Sequence, residues 1–159
     1  MDHLFFSTSN AVLDTKKRMM LPAECREALA HAESVEFQSR LYLSRRSVGD
    51  APVHLACFGS SLVSSLSSEL DYCDSDRAHE IEIILMETDV VKVDSAGRFS
   101  LGSDTVDALG LTDQVLVVGL GRFFEIWHPN HKADTRSALL SSYRRALRLM
   151  PTRQAEGGL

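Results

Sequence analysis

The chain has little cysteine, and what it has is not arranged for pairing. Cys25, Cys57 and Cys73 are three in number and show no C-x-x-C spacing. A complete internal disulfide set is therefore excluded. The pattern is that of ordinary buried or half-buried thiols in a reducing compartment. Long apolar runs are missing too: none approaches the roughly 18 residues that a membrane helix needs. The opening "MDHLFFSTSN" has no basic n-region and only a very short apolar stretch, so no signal peptide is expected. These absences predict a soluble, cytoplasmic protein with no membrane partner. An excess of basic charge is also lacking, since the net charge is −5 and the pI about 5.6. A basic pI would have advertised nucleic acid; here the location of charge matters more than its sum. Catalytic signatures are absent as well: there is no Gly-x-Ser-x-Gly, no Gly-rich phosphate loop and no His-Glu-x-x-His. Asp94, Ser95 and a histidine can be imagined as a catalytic set, but no spacing supports it. No catalytic residue and no cofactor is expected.

What is present is ordinary globular material, with 159 residues, 44% hydrophobic and 25% charged, enough for one or two compact domains. Its informative feature is a repeat. "VLDTKKRMML" spans residues 12–21 and "KVDSAGRFSL" spans residues 92–101, each with an Asp-x-x-x-Arg core in an apolar setting. Aligning Asp14 with Asp94 gives an offset of 80 residues. Leu13 then falls on Val93, Arg18 on Arg98, Leu21 on Leu101, and Ala28–Leu29 on Ala108–Leu109. The apolar pattern survives along with the charged core, which points to duplication.

Each copy reads as strand, turn, strand and short helix. In copy one these are "NAVL", "DTKK", "RMML" and "AECREAL", with Pro22 at a first helical position, where its missing N–H costs nothing. In copy two they are "VVKV", "DSAG", "RFSL" and "TVDAL", with Ser103 or Asp104 as N-cap and Gly110 as terminator. "QVLVVGLGRFFEIW" has the β-branched and aromatic content of two strands, with a turn at Gly119 and Gly121. The looser counterpart in copy one is "VEFQSRLYL" and "VHLACF", separated by an exposed loop "SRRSVGDAP". Between the copies, Leu62, Leu66 and Leu70 are four apart and line one helical face. Asp71 to Asp76 is a polar break, and Ser75 can cap a second helix carrying Ile81, Ile84 and Leu85. Eight acids against Arg77 and Lys92 make this connector the main source of negative charge. After Pro129, the spacing of Leu139, Leu140, Tyr143, Leu147 and Met150 predicts one longer helix. Arg136, Arg144, Arg145 and Arg148 fall largely off its apolar stripe, and Pro151 with Gly157–Gly158 suggests a frayed tail.

The duplicated motif and the "FEIW" strand resemble the MraZ family of bacterial transcription regulators, which are built from two AbrB-like (SpoVT–AbrB) domains. "LDTKKRMMLPAECREAL" resembles the first motif. "VDSAGRFSLGSDTVDALGL" with "VLVVGLGRFFEIWHP" resembles the second more closely, and the resemblance runs from about residue 8 to about 148. It implies an α+β fold of two AbrB-like swapped-hairpin β-barrel halves in pseudo-twofold arrangement, with a helical connector and a C-terminal helix. The divisions expected are 8–55 for the first domain, 56–87 for the connector, 88–131 for the second domain and 132–150 for the terminal helix. The resemblance further implies binding to short direct repeats in the promoter of a cell-division and cell-wall gene cluster, usually in repression. The implied state is a homo-oligomeric ring associated with the nucleoid. Three departures stand out. The family turn reads Asp-x-Lys-Gly-Arg, but copy one has Lys17 in place of the glycine. Copy two keeps Gly97 but lacks the lysine, and Gly102 replaces the helix-starting proline.

Lys16, Lys17, Arg18 and Arg98 are the candidate nucleic-acid-binding residues. Arginine reads guanine bidentately in the major groove, which admits a two-stranded β-ribbon. The bland alternative is a solvated turn with a surface Asp–Arg pair worth little. Asp14 and Asp94 are assigned another role, because an anion facing phosphates is unfavourable. They are expected to cap their own turns and orient the arginines. His128 and His131 in "HPNH" suggest metal, but two histidines without a third ligand are a poor site, so no metal is expected. Phe123, Phe124 and Trp127 could stack on bases or pack in the core. The C-terminal arginines could touch DNA or neighbouring subunits, or form a solvated helix face. Two other classes remain in view: an AbrB-like antitoxin acting through a toxin partner, and a small enzyme.

Overall fold

A computed structural model of the chain describes residues 4–32, 40–47 and 53–130. Their elements run in the order β1 (Thr8–Val12), β2 (Arg18–Met20), α1 (Ala23–Ala32), β3 (Arg40–Arg46), β4 (His54–Phe58), α2 (Ser60–Glu69), α3 (Ser75–Met86), β5 (Thr88–Lys92), β6 (Arg98–Ser100), α4 (Ser103–Leu109), β7 (Gln114–Gly119) and β8 (Phe124–Trp127). The helix expected over 132–150, its arginines and His131 lie outside the described residues. No helix among the described residues is long and apolar enough to cross a membrane.

The fold is α+β. Six strands form one sheet in the order β1-β7-β8-β4-β3-β5, and β2 with β6 forms a separate two-stranded ribbon. Every pairing is antiparallel. The large sheet is not closed; β1 and β5 are its two ends. Read backwards with the two copies exchanged, its order maps onto itself. β1 of the first copy pairs with β7 of the second, and β5 of the second pairs with β3 of the first. The ribbon obeys the same rule. Met19 faces Phe99 at its centre, Arg18 faces Ser100, and Met20 faces Arg98. Just beyond it, Leu21 N–H donates to the Gly97 carbonyl at 2.8 Å, and Leu101 N–H donates to the Lys17 carbonyl at 3.0 Å. These two bonds exchange under the 80-residue offset.

The apolar positions of the repeat form the core between sheet, ribbon and helices. Leu13 and Val93, Met19 and Phe99, Leu21 and Leu101, and Leu29 and Leu109 are all buried in one cluster. The match is not complete: Ala28 is buried, whereas its counterpart Ala108 is exposed. A second cluster, with Leu62, Leu66, Ile81 and Ile84 against Phe58 and Phe123, seats α2 and α3 on the sheet. The four-residue leucine spacing thus marks the inward face of α2, as expected.

Several local expectations are corrected. Pro22 lies one position before α1, with its carbonyl accepting the Arg26 N–H at 3.0 Å. The N-cap of α3 is Asp74, not Ser75. Its carboxylate accepts the Arg77 N–H at 2.8 Å, a stronger, charge-assisted cap. Neither Ser103 nor Asp104 caps α4; Gly102, at φ 79°, precedes it without a side-chain cap bond. Gly110 ends that helix in the left-handed conformation, φ 66°, as its position predicts. The start of "SRRSVGDAP" is not loop, because β3 runs through Arg46 and Ser44 is fully buried.

Candidate nucleic-acid interface

The two charged turns are built alike, bond for bond. In the first, Lys17 N–H donates to the Asp14 carbonyl at 3.0 Å, and Asp14 N–H donates to the Arg18 carbonyl at 2.9 Å. Asp14 Oδ1 accepts the N–H groups of Lys16 and Arg18 at 2.8 and 2.9 Å, while Oδ2 accepts Arg18 Nε–H at 3.1 Å. In the second, Gly97 N–H donates to the Asp94 carbonyl at 2.9 Å, and Asp94 N–H to the Arg98 carbonyl at 3.0 Å. Asp94 Oδ1 accepts from Ala96 and Arg98 N–H, both at 2.9 Å, and Oδ2 accepts Arg98 Nε–H at 3.0 Å. Aspartate suits this place because its short carboxylate reaches backbone donors two and four residues on.

The electrostatics follow from the same bonds. The backbone N–H of Arg18 is the main influence holding the Asp14 carboxyl below its ordinary 3.8, and the backbone N–H of Arg98 does the same for Asp94. Both carboxylates are therefore ionised at neutral pH. Each guanidinium is tethered at Nε, with 39% of the Arg18 side chain and 47% of the Arg98 side chain exposed. Their terminal nitrogens have no partner among the described residues.

The ribbon brings these arginines together from 80 positions apart. Side chains alternate along a strand, so Met19 and Phe99 point into the core while Arg18, Met20, Arg98 and Ser100 share the outer face. Arg18 and Arg98 are diagonal neighbours there, roughly 7 Å apart at Cβ by sheet geometry. Lys16 is exposed at the tip of the first turn, and Lys17 is half-buried at φ 61°. Gly97 holds the corresponding place at φ 84°.

One cation at this surface escaped the sequence reading. Arg26, on α1 of the first copy, lies across the turn of the second, with Nη1 donating to the Ala96 carbonyl at 3.3 Å. A side chain at Gly97 would run into its Cδ. No sequence signal could have found it. The contact spans 70 residues, and the repeat gives Arg26 the buried Val106 as counterpart. Other candidates are decided by burial. Phe123, Phe124 and Trp127 are core residues and cannot stack on bases; Trp127 lies 3.9 Å from the His54 ring, nearly parallel to it. His128 Nδ1 accepts the Asn130 N–H at 3.0 Å. Among the described residues no three His, Cys, Asp or Glu side chains gather as a metal site.

A family model described as "MraZ protein, putative antitoxin-like" matches residues 84–137. The protein named transcriptional regulator MraZ from Caulobacter vibrioides (strain NA1000 / CB15N) is 32% identical over 140 residues, covering 84% of this chain and 85% of that one. The chain belongs to the MraZ family. A second relative of that name, from Gluconacetobacter diazotrophicus, is 30% identical over 162 residues, covering 98% and 97% of the two chains. A third, from Phenylobacterium zucineum (strain HLK1), is 27% identical over 177 residues, covering 98% of this chain and all of the relative. The MraZ model matches the second copy and leaves the first outside.

Proposed function

We propose that this MraZ-family chain is a sequence-specific DNA-binding transcriptional regulator whose β2–β6 ribbon enters the major groove. The single observation that carries the reading is the shared outer face of Arg18 and Arg98. Each guanidinium is fixed at Nε by its own aspartate, which leaves the terminal nitrogens for an acceptor pair such as guanine O6 and N7. A two-stranded ribbon has the width that the major groove admits. Lys16 and Lys17 add phosphate contacts beside the first turn, while Asp14 and Asp94 hold the turns and face away from the DNA.

In this reading 8–55 and 88–131 are the two AbrB-like halves, each lending strands to the other in a swapped-hairpin arrangement. The strand order, which maps onto itself in reverse when the two copies are exchanged, supports it. The target is a set of short direct repeats in a promoter of a cell-division and cell-wall cluster, with repression as the outcome, in the cytoplasm at the nucleoid. Assembly into a ring compensates for the acidic net charge by offering several ribbons at once. The words "antitoxin-like" in the family model favour a second reading, in which the chain acts through a toxin partner; DNA binding by the purified chain alone separates the two.

The test is a gel-shift series at fixed salt against the DNA upstream of its own gene, with scrambled repeats as control. Arg18→Ala and Arg98→Ala each weaken specific binding by about 1–3 kcal/mol and leave fold and assembly intact. If both variants bound like the wild type, the ribbon would not be the reading surface.

A further inference from the structure

We propose that Arg26 is the phosphate-contacting cation of the second turn, standing in for the lysines that copy two lacks; the proposal rests on the reading that the ribbon meets DNA. The two turns have the same backbone but different cations. The first carries Lys16 and Lys17, and the second has Ala96 and Gly97 at those positions. Counted within each repeat, the second turn would meet DNA with Arg98 alone. The fold changes that count. Arg26 leaves α1, crosses to the other copy and lies over Gly97, with Nη1 held on the Ala96 carbonyl at 3.3 Å. Its stem occupies the place that a side chain at position 97 would need. At the first turn the counterpart of Gly97 is Lys17, which carries a side chain of its own. Glycine at 97 therefore has two reasons: the positive φ of the turn and the room that Arg26 takes.

The exchange does not run the other way. The counterpart of Arg26 is Val106, buried on α4, so α4 offers the first turn no cation at that position. Each turn thus gains its flanking charge from the first copy, once directly and once through α1. Arg26 is exposed and lies beside Asp94 and Ser95 of the second turn. The guanidinium carries more donors than the single carbonyl uses. A phosphate oxygen is the acceptor that suits them beside a ribbon reading base edges, because phosphate contacts fix register without carrying sequence.

The experiment uses the full chain and measures binding to upstream and scrambled DNA across a series of salt concentrations. Arg26→Gln keeps a donor for the Ala96 carbonyl and removes the charge. It lowers the magnitude of the log–log salt slope by about 1 and weakens both DNAs by the same factor. Arg26→Lys keeps the slope, and adding Ala96→Lys to Arg26→Gln restores it. Thermal unfolding of each variant shows that the fold is retained. An unchanged slope and affinity in Arg26→Gln, with Arg18→Ala and Arg98→Ala both weakened, would overturn this inference alone. A loss confined to the specific DNA would also overturn it. Wild-type binding in all three variants would remove the ribbon reading and the inference with it.

Discussion

At Lys17 a residue with a Cβ holds φ 61°, where its counterpart Gly97 holds φ 84°. The left-handed region costs a non-glycine residue about 1 kcal/mol, so the first turn stores strain that the second does not. What the strain leaves in place is a cation at the tip of the more basic turn. Lys17→Gly therefore moves stability and binding in opposite directions. Relief of the strain, less the chain entropy that glycine adds to the unfolded state, raises stability by about 0.5 kcal/mol, read as a higher urea midpoint at unchanged slope. Loss of the charge weakens DNA binding and lowers the salt slope by about 1. A gain in affinity would contradict the binding half, and a loss of stability of about 1 kcal/mol or more the strain half. That Lys17 stands where the other copy has glycine was legible in the sequence, because aligning the repeats sets the two together. Arg26 was not, since its partner is a backbone carbonyl in the other copy.

At the scale of elements the acidic connector holds a buried ion pair. Glu69, at the end of α2, is fully buried. Arg77 on α3 reaches it through Nε to Oε1 at 2.7 Å and Nη2 to Oε2 at 3.3 Å, and Nη1 reaches Glu80 at 3.3 Å. Burial pulls the Arg77 pKa down, but the bonds to Glu69 and Glu80 outweigh it and raise it overall. The pair pins α2 to α3. Removing one partner leaves a buried charge, so Arg77→Ala destabilises the chain by about 3 kcal/mol, measured by urea unfolding. The double replacement Glu69→Leu with Arg77→Met recovers most of that, because a buried pair gives little net stability over apolar residues of similar size. A double variant as unstable as Arg77→Ala would contradict the account. Periodicity exposed Leu62, Leu66 and Leu70, because a helix face repeats in sequence. It could not single out Glu69 from the other acids, because burial of one carboxylate depends on where Arg77 arrives. The α3 cap was missed for a related reason: adjacent polar residues compete, and Asp74 takes the place of Ser75 by offering the stronger acceptor.

For the whole molecule, the repeat means that two unequal halves are interleaved into one body. β1, β2 and β5 all pair with the opposite copy. The offset of 80 residues was readable, but the order β1-β7-β8-β4-β3-β5 was not, because no local pattern says which copy a strand will join. The consequence for function is arithmetical. The described residues of one chain form one ribbon, carrying a handful of cations on a chain of net charge −5. A site with so few phosphate contacts binds weakly and loses affinity steeply with salt. Linked copies convert later contacts into intramolecular ones, which raises affinity by about 10²–10⁴ without any new contact, provided that the ribbons and the repeats can meet at once. DNA carrying one repeat is therefore expected to bind weakly, and DNA carrying several in helical phase far more tightly. Inserting about 5 base pairs, half a helical turn, between repeats turns alternate sites to the far side and removes most of the gain while leaving every base contact available. Fluorescence anisotropy with the three DNAs measures it directly. Equal affinity for the phased and the half-turn DNA would mean that the ribbons act singly, and that assembly contributes nothing to recognition.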